Sequence, residues 1–110
     1  MITNIEIELL EQVDIFLENI DPKARDKIIY NLWKFKLQKD RKLFKKLTHE
    51  IWEFRTKFAE NEYRLLAFCK KEKGLTTIII ATNGFVKKSQ KTPKTEIEKA
   101  MNIRQYYLNK

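Results

Sequence analysis

The sequence predicts a single small α+β domain, residues 1–110, built on a mainly antiparallel sheet. Three observations carry that prediction. The chain has 110 residues, which leaves room for one core. Three apolar runs rich in β-branched and aromatic residues follow one another closely between residues 51 and 82, separated by short polar stretches. Asp21-Pro22 and Thr92-Pro93 each place a capping residue before a proline, the pattern that opens a helix. Hydrophobic residues make up 43% of the chain, and Gly and Pro number only two each, so a disordered, collagen-like or low-complexity chain is excluded.

Taken in order, Ile5-Glu6-Ile7-Glu8-Leu9 alternates apolar and acidic residues, the period of a strand with one buried face. Val13, Phe16, Leu17 and Ile20 fit helical spacing and predict a short helix. A second helix over residues 22–37 carries Ile28, Ile29, Leu32 and Trp33, and the two form a hairpin whose apolar stripes pack on the sheet. Residues 38–50 read as a mostly irregular, basic connection. Residues 51–58 alternate, with Trp52, Phe54, Thr56 and Phe58 on one face and Glu53, Arg55 and Lys57 on the other. A turn at 59–62 leads into residues 63–69, apolar on both faces except for Arg64, as an interior strand requires. After a turn at 70–74, residues 75–82 contain Thr-Thr-Ile-Ile-Ile, a strand that Asn83-Gly84 ends. The short turns make these three strands an antiparallel meander. A helix of roughly fourteen residues then follows Thr92-Pro93, within the usual length range. The order is β-α-α-β-β-β-α.

The formal charge is +8, and it is unevenly spread. The first 21 residues hold six acids and no Lys or Arg; the remaining 89 carry a balance of +14. A chain of this kind attracts polyanions. The lone Cys69 excludes a disulfide framework and a cysteine-based zinc site; it reads as a core residue, and a reduced, cytosolic compartment is the expectation. No ligand spacing for a metal is present, and both glycines stand alone, so there is no phosphate-cradling loop. No apolar run approaches the ~20 residues of a membrane span, and no signal-peptide pattern opens the chain. His49, before a strand in a basic surround, is a solvated loop residue or a functional one.

What remains is a set of bases near strand positions. Arg55 and Arg64 fall on neighbouring strands within reach of each other. Two close guanidiniums repel unless an anion lies between them, and a phosphate suits their planar forks. The alternative is that each pairs with Glu53 or Glu62 as an ordinary surface bridge. Residues 85–91 add Lys87, Lys88 and Lys91 beside Phe85. Bases interleaved with an aromatic can hold single-stranded RNA, and Phe85 is then a stacking residue or, alternatively, a core residue at a strand end. Tyr106 and Tyr107 near the C-terminus are core, rim or stacking residues.

The chain resembles the RelE/ParE superfamily of toxins from type II toxin–antitoxin systems, in its HigB-like, phage-derived branch. The residues that carry the resemblance are Ile51-Trp52-Glu53-Phe54-Arg55, Asn61-Glu62-Tyr63-Arg64 and, above all, Gly84-Phe85-Val86-Lys87-Lys88-Ser89-Gln90-Lys91-Thr92-Pro93 followed by Glu96-Ile97-Glu98-Lys99-Ala100. The resemblance implies a RelE-like fold and a cytoplasmic, ribosome-dependent mRNA interferase. Such an enzyme needs no metal or other cofactor: the 2′-OH attacks the adjacent phosphorus and a 2′,3′-cyclic phosphate results. By the same resemblance Arg55 and Arg64 stabilise the transition state, and Lys87 or Lys88 serves in proton transfer with a pKa lowered by neighbouring cations. Lys57, Lys91, Phe85 and Tyr107 then hold RNA. Tyr106, Tyr107 and His49 are the candidates for the stacking or proton-shuttling residue that many relatives have. The implied partners are a cognate antitoxin with a helix-turn-helix domain, the ribosome and mRNA, and operator DNA only through the antitoxin complex; no membrane is implied. The basic run 34–46 meets ribosomal RNA or is a solvated loop. Two competing readings are a ParE-like inhibitor that binds DNA gyrase without hydrolysis and a non-catalytic RNA-binding phage-regulatory module.

Overall fold

A computed structural model describes residues 4–48, 50–72, 74, 76–88 and 91–110. Five strands, β1 (Asn4–Leu9), β2 (Phe44–Lys46), β3 (Trp52–Phe58), β4 (Asn61–Lys71) and β5 (Thr76–Lys87), join three helices, α1 (Glu11–Glu18), α2 (Pro22–Gln38) and α3 (Lys94–Leu108). The strands form one sheet in the order β1-β5-β4-β3-β2. β1 runs parallel to β5 and every other pairing is antiparallel. The expected α+β class, helix hairpin and C-terminal helix are all present.

The sheet is covered on both faces, and the period-2 alternation of each strand decides what each cover meets. On one face the α1–α2 hairpin buries Val13, Leu17, Ala24, Ile28, Leu32 and Phe35 against Ile5, Phe54, Leu65, Ala67 and Ile79. On the other, α3 sets Ala100, with Ile97 and Tyr107, over Leu66, Phe68, Ile80 and Phe85. β4 lies at the centre, so it is buried without a break from Tyr63 to Phe68, as an interior strand should be. Asp21 caps α2 by accepting the Lys23 N–H at 2.9 Å, and Pro22 occupies the first helical turn. Lys39, in the left-handed region at φ 54°, donates its N–H to the Phe35 carbonyl and ends the helix. Asn31 of α2 then donates to Thr56 Oγ1 across a buried 3.0 Å bond, which ties the hairpin to β3.

Four features differ from the sequence reading. The 38–50 connection contains β2, which pairs with β3. Three residues, two of them lysine, show no period, but Phe44 fills a cluster with Phe35, Phe54 and Trp52, at centroid distances of 4.9, 4.3 and 4.9 Å. The turn between β3 and β4 is only Ala59-Glu60, with Ala59 at φ 55°, and β4 is accordingly longer than expected. Cys69 is exposed, not core. It stands one residue past the buried stretch of β4, beside an apolar groove lined by Ile5, Phe35, Trp52 and Ile79, whose walls push its thiol up to about 11.

Finally, Asn83-Gly84 does not end a strand: β5 continues through both to Lys87. Leu66 pairs with Asn83 whereas Ala67 pairs with Ala81, so Thr82 is the extra residue of a bulge. Gly84 is required by close packing: a Cβ there would lie 2.5 Å from Phe16 Cδ2 and 2.8 Å from Leu65 Cδ2. Gly84→Ala is therefore expected to destabilise the fold by about 1–3 kcal/mol through overpacking. Urea unfolding at an unchanged m-value, with a lower midpoint, is the check.

Candidate functional site

The bulge in β5 sets the register of the strand's last five residues, and that register assembles a three-by-three array on the α3 face of the sheet. Along β3 the array contains Glu53, Arg55 and Lys57; along β4, Leu66, Arg64 and Glu62; along β5, Asn83, Phe85 and Lys87. Its rows are Glu53–Leu66–Asn83, Arg55–Arg64–Phe85 and Lys57–Glu62–Lys87. Arg55 and Arg64 are thus direct cross-strand partners. Like charges in that relation repel, so anions must be interleaved with them.

Two carboxylates supply the anions. Glu53 is fully buried. Its Oε1 accepts the Arg55 Nε–H at 3.0 Å and lies 3.4 Å from Arg64 Nε. Its Oε2 accepts the Thr92 hydroxyl at 2.5 Å. Glu62 accepts from Arg64 Nη2 and stands between Lys57 and Lys87 in its row. The hydrogen bond from Arg64, then its charge, then those of Lys87 and Lys57 hold the Glu62 carboxyl below the usual glutamate range. The two arginines stand within reach of each other, as the strand count expected. They face each other, and they are paired to Glu53 and Glu62, but the Glu53 pairing is a buried one and not a surface bridge.

The two arginines differ in access. The Arg64 side chain is 5% exposed, and its Nε is the buried side-chain atom left without a hydrogen bond among the described residues. The Arg55 side chain is 37% exposed and so is partly open to solvent. Lys57 is exposed and Lys87 half-buried. Lys88 follows the end of β5 and is exposed. Lys91, also exposed, directly precedes Thr92.

α3 is fastened over this array by its first turn. Asn83 Nδ2 donates to the Glu96 carbonyl at 3.3 Å and to Glu96 Oε1 at 3.0 Å. The Thr82 hydroxyl lies 2.5 Å from Asn83 Oδ1 and 3.2 Å from the Leu66 carbonyl, so the bulge residue fixes the asparagine. Lys87 is thus placed by the sheet and Thr92 by its bond to Glu53.

Of the residues singled out from sequence, Arg55, Arg64, Lys57 and Lys87 converge. Phe85 is in the array but its ring is buried with Leu66 and Ala100, so it is a core residue and offers no open face for a base. Tyr107 lies elsewhere: it packs edge-on against Phe68 at 5.6 Å and donates to Glu8 Oε1 at 3.1 Å, four positions along β4 from Arg64. Burial and the Glu8 bond raise its pKa. Tyr106 is exposed on α3, and His49 lies outside the described residues. Among the described residues no group of three His, Cys, Asp or Glu side chains is placed to hold a metal ion. Sequence reasoning treated Glu53 only as a pairing alternative and did not single out Thr92, Asn83 or Thr82. The alternation of β3 had put Glu53 on the face of Arg55; what it lacked was that α3 covers that end of the face.

A mainly antiparallel sheet packed by an N-terminal helix hairpin, with a C-terminal helix, is the fold that the resemblance to RelE-type toxins implies. Residues 15–105 match the family described as Phage derived protein Gp49-like (DUF891), and the chain belongs to that family. The family is related to the RelE-type toxins of toxin–antitoxin systems. The matched stretch includes every residue of the array. No curated protein matches the chain. Among the described residues, no helix is long and apolar enough to cross a membrane.

The position of Glu62 has a measurable consequence. Its lowered pKa means that the Arg64 pairing contributes to stability above the ordinary glutamate range, and that the contribution fades as pH falls through the lowered folded-state value. In a side-chain 13C NMR titration Glu62 is expected to have a midpoint below that of glutamate in a model peptide. The difference should shrink in high salt, because the carboxylate is open to solvent. A midpoint at or above the model-peptide value would contradict the pairing.

Proposed function

We propose that this protein is the toxin of a type II toxin–antitoxin system, of the HigB-like kind, and that it acts in the cytoplasm as a ribosome-dependent mRNA endoribonuclease. The observation that carries the proposal is the direct opposition of Arg55 and Arg64 on adjacent strands, with Lys57 and Lys87 in the next row. Four cations on one small face, against two carboxylates, form a site for a phosphodiester. Membership in a phage-derived family related to RelE-type toxins supports the same reading.

The chemistry is transesterification. The 2′-oxygen forms a bond to phosphorus while the bond to the 5′-oxygen breaks. The 2′-hydroxyl proton goes to a base, the leaving oxygen takes up a proton, and a 2′,3′-cyclic phosphate and a 5′-hydroxyl result. Charge grows on the non-bridging oxygens, where guanidinium donors act most strongly. Arg55, the more exposed of the two arginines, meets them first. Arg64 joins when Glu62 swings aside, one anion replacing another, so the buried guanidinium is never left unpaired. In this reading Lys87 or Lys88 serves in proton transfer and Lys91 holds backbone. The ribosome supplies much of the substrate positioning. A cognate antitoxin with a helix-turn-helix domain is the expected partner that covers the basic face.

Induction in growing cells is expected to arrest growth and to leave new transcript ends bearing 2′,3′-cyclic phosphates. Arg55→Gln, which spares the buried Arg64–Glu53 contact, should reduce cleavage on the order of 10²-fold while the protein stays folded. Growth arrest without new transcript ends, together with inhibition of supercoiling by the purified protein, would replace this reading with the gyrase-binding one. RNA binding with neither effect would favour a regulatory module.

A further inference from the structure

We infer that Glu53 is a positioning residue whose single buried carboxylate sets, at once, the spacing of the two arginines and the distance from them to the lysine-bearing segment. The inference rests on the phosphodiester site proposed above and adds a group that never touches substrate.

The geometry assigns one task to each oxygen. Oε1 faces the Nε edges of both guanidiniums, at 3.0 Å from Arg55 and 3.4 Å from Arg64. Arg55 is hydrogen-bonded through Nε, which leaves its Nη groups free of the carboxylate, whereas Arg64 stands at ion-pair distance and gives Nη2 to Glu62. Oε2 takes the Thr92 hydroxyl at 2.5 Å. Thr92 directly precedes Pro93, the N-cap residue of α3. It therefore ends the stretch that begins at Lys87, and its bond to Glu53 fixes where Lys88 and Lys91 can lie relative to the arginines.

Burial ties the members together. A fully buried carboxylate must be paired, and a nearly buried Arg64 must have a counter-ion. Glu53 can lose one arginine and keep the other, but it cannot lose both without being left a buried charge alone. Thr92 is the weakest link of the three, because its loss leaves both ion pairs in place. It is thus the position at which segment placement separates from folding.

The test uses the full chain and a short fluorescein-labelled single-stranded RNA, with affinity read by fluorescence anisotropy. Thr92→Val keeps the shape and removes the hydroxyl. It is expected to bind the RNA on the order of five- to tenfold more weakly, because the segment is less firmly placed, with its melting temperature within a few degrees of the parent. Thr92→Ser restores the hydroxyl and should restore the affinity, which a purely structural role for the threonine would not require. Glu53→Asp withdraws the carboxylate by one methylene and should weaken binding in the same direction. If Thr92→Val binds as tightly as the parent, the positioning role is overturned while the phosphate site stands. If the parent fails to bind the RNA, or Arg55→Gln leaves its affinity unchanged, the phosphate site falls and the inference falls with it.

Discussion

Two guanidiniums cannot face each other across adjacent strands without an anion between them, and the functional face of this protein is organised around that constraint. Arg55 and Arg64 are cross-strand partners, and Glu53 reaches both from the row beside them. Once the sheet pairs in this register the carboxylate must stay put, because removing it would leave Arg55 without an ion-pair partner among the described residues and the nearly buried Arg64 with Glu62 alone. The pairing stabilises the fold less than it specifies it. It selects one rotamer for each arginine and one height for the segment that carries Thr92.

The rest of the fold makes that arrangement possible. The bulge at Thr82 shifts β5 by one residue, and only then do Asn83, Phe85 and Lys87 share the face of Arg64. Gly84 leaves its opposite face bare, so that Phe16 of the helix hairpin can lie directly against the strand. α3 contributes one fully buried residue, Ala100, and is held as much by hydrogen bonds at its first turn as by apolar packing. The polar bonds of Asn83 and Thr92 are therefore structural and functional at once. They close the end of the sheet and define the edge of the basic patch.

Much of this was legible in the sequence. The alternation of residues 51–58 put Arg55 on the face opposite Trp52 and Phe54, and the unbroken apolarity of residues 63–69 made β4 interior. Asp21-Pro22 and Thr92-Pro93 marked both long helices within a residue or two. The missing parts have one cause: they depend on contacts between elements distant in the chain. Glu53 lies 39 positions from Thr92, and nothing local says that α3 begins above it. Asn83-Gly84 looks like a turn, because a strand that passes through it needs a bulge and a neighbouring phenylalanine to explain the glycine. Phe85 alternates correctly for either a core or a stacking role, and only the cover provided by α3 decides for the core. β2 was invisible because three residues carry no period; its strand character comes from aromatic neighbours.

The central claim is that one buried carboxylate holds both arginines, and NMR of the arginine Nε–H groups tests it most directly. The chain has five arginines, of which Arg25 and Arg41 make no ion pair among the described residues. At neutral pH the Nε–H signals of Arg55 and Arg64 should persist against exchange with water, and both should shift together in Glu53→Gln, whereas those of Arg25 and Arg41 should exchange rapidly and ignore the substitution. If Arg55 and Arg64 exchange as fast as Arg25 and Arg41, or if only one of them responds to the substitution, Glu53 does not bridge the pair.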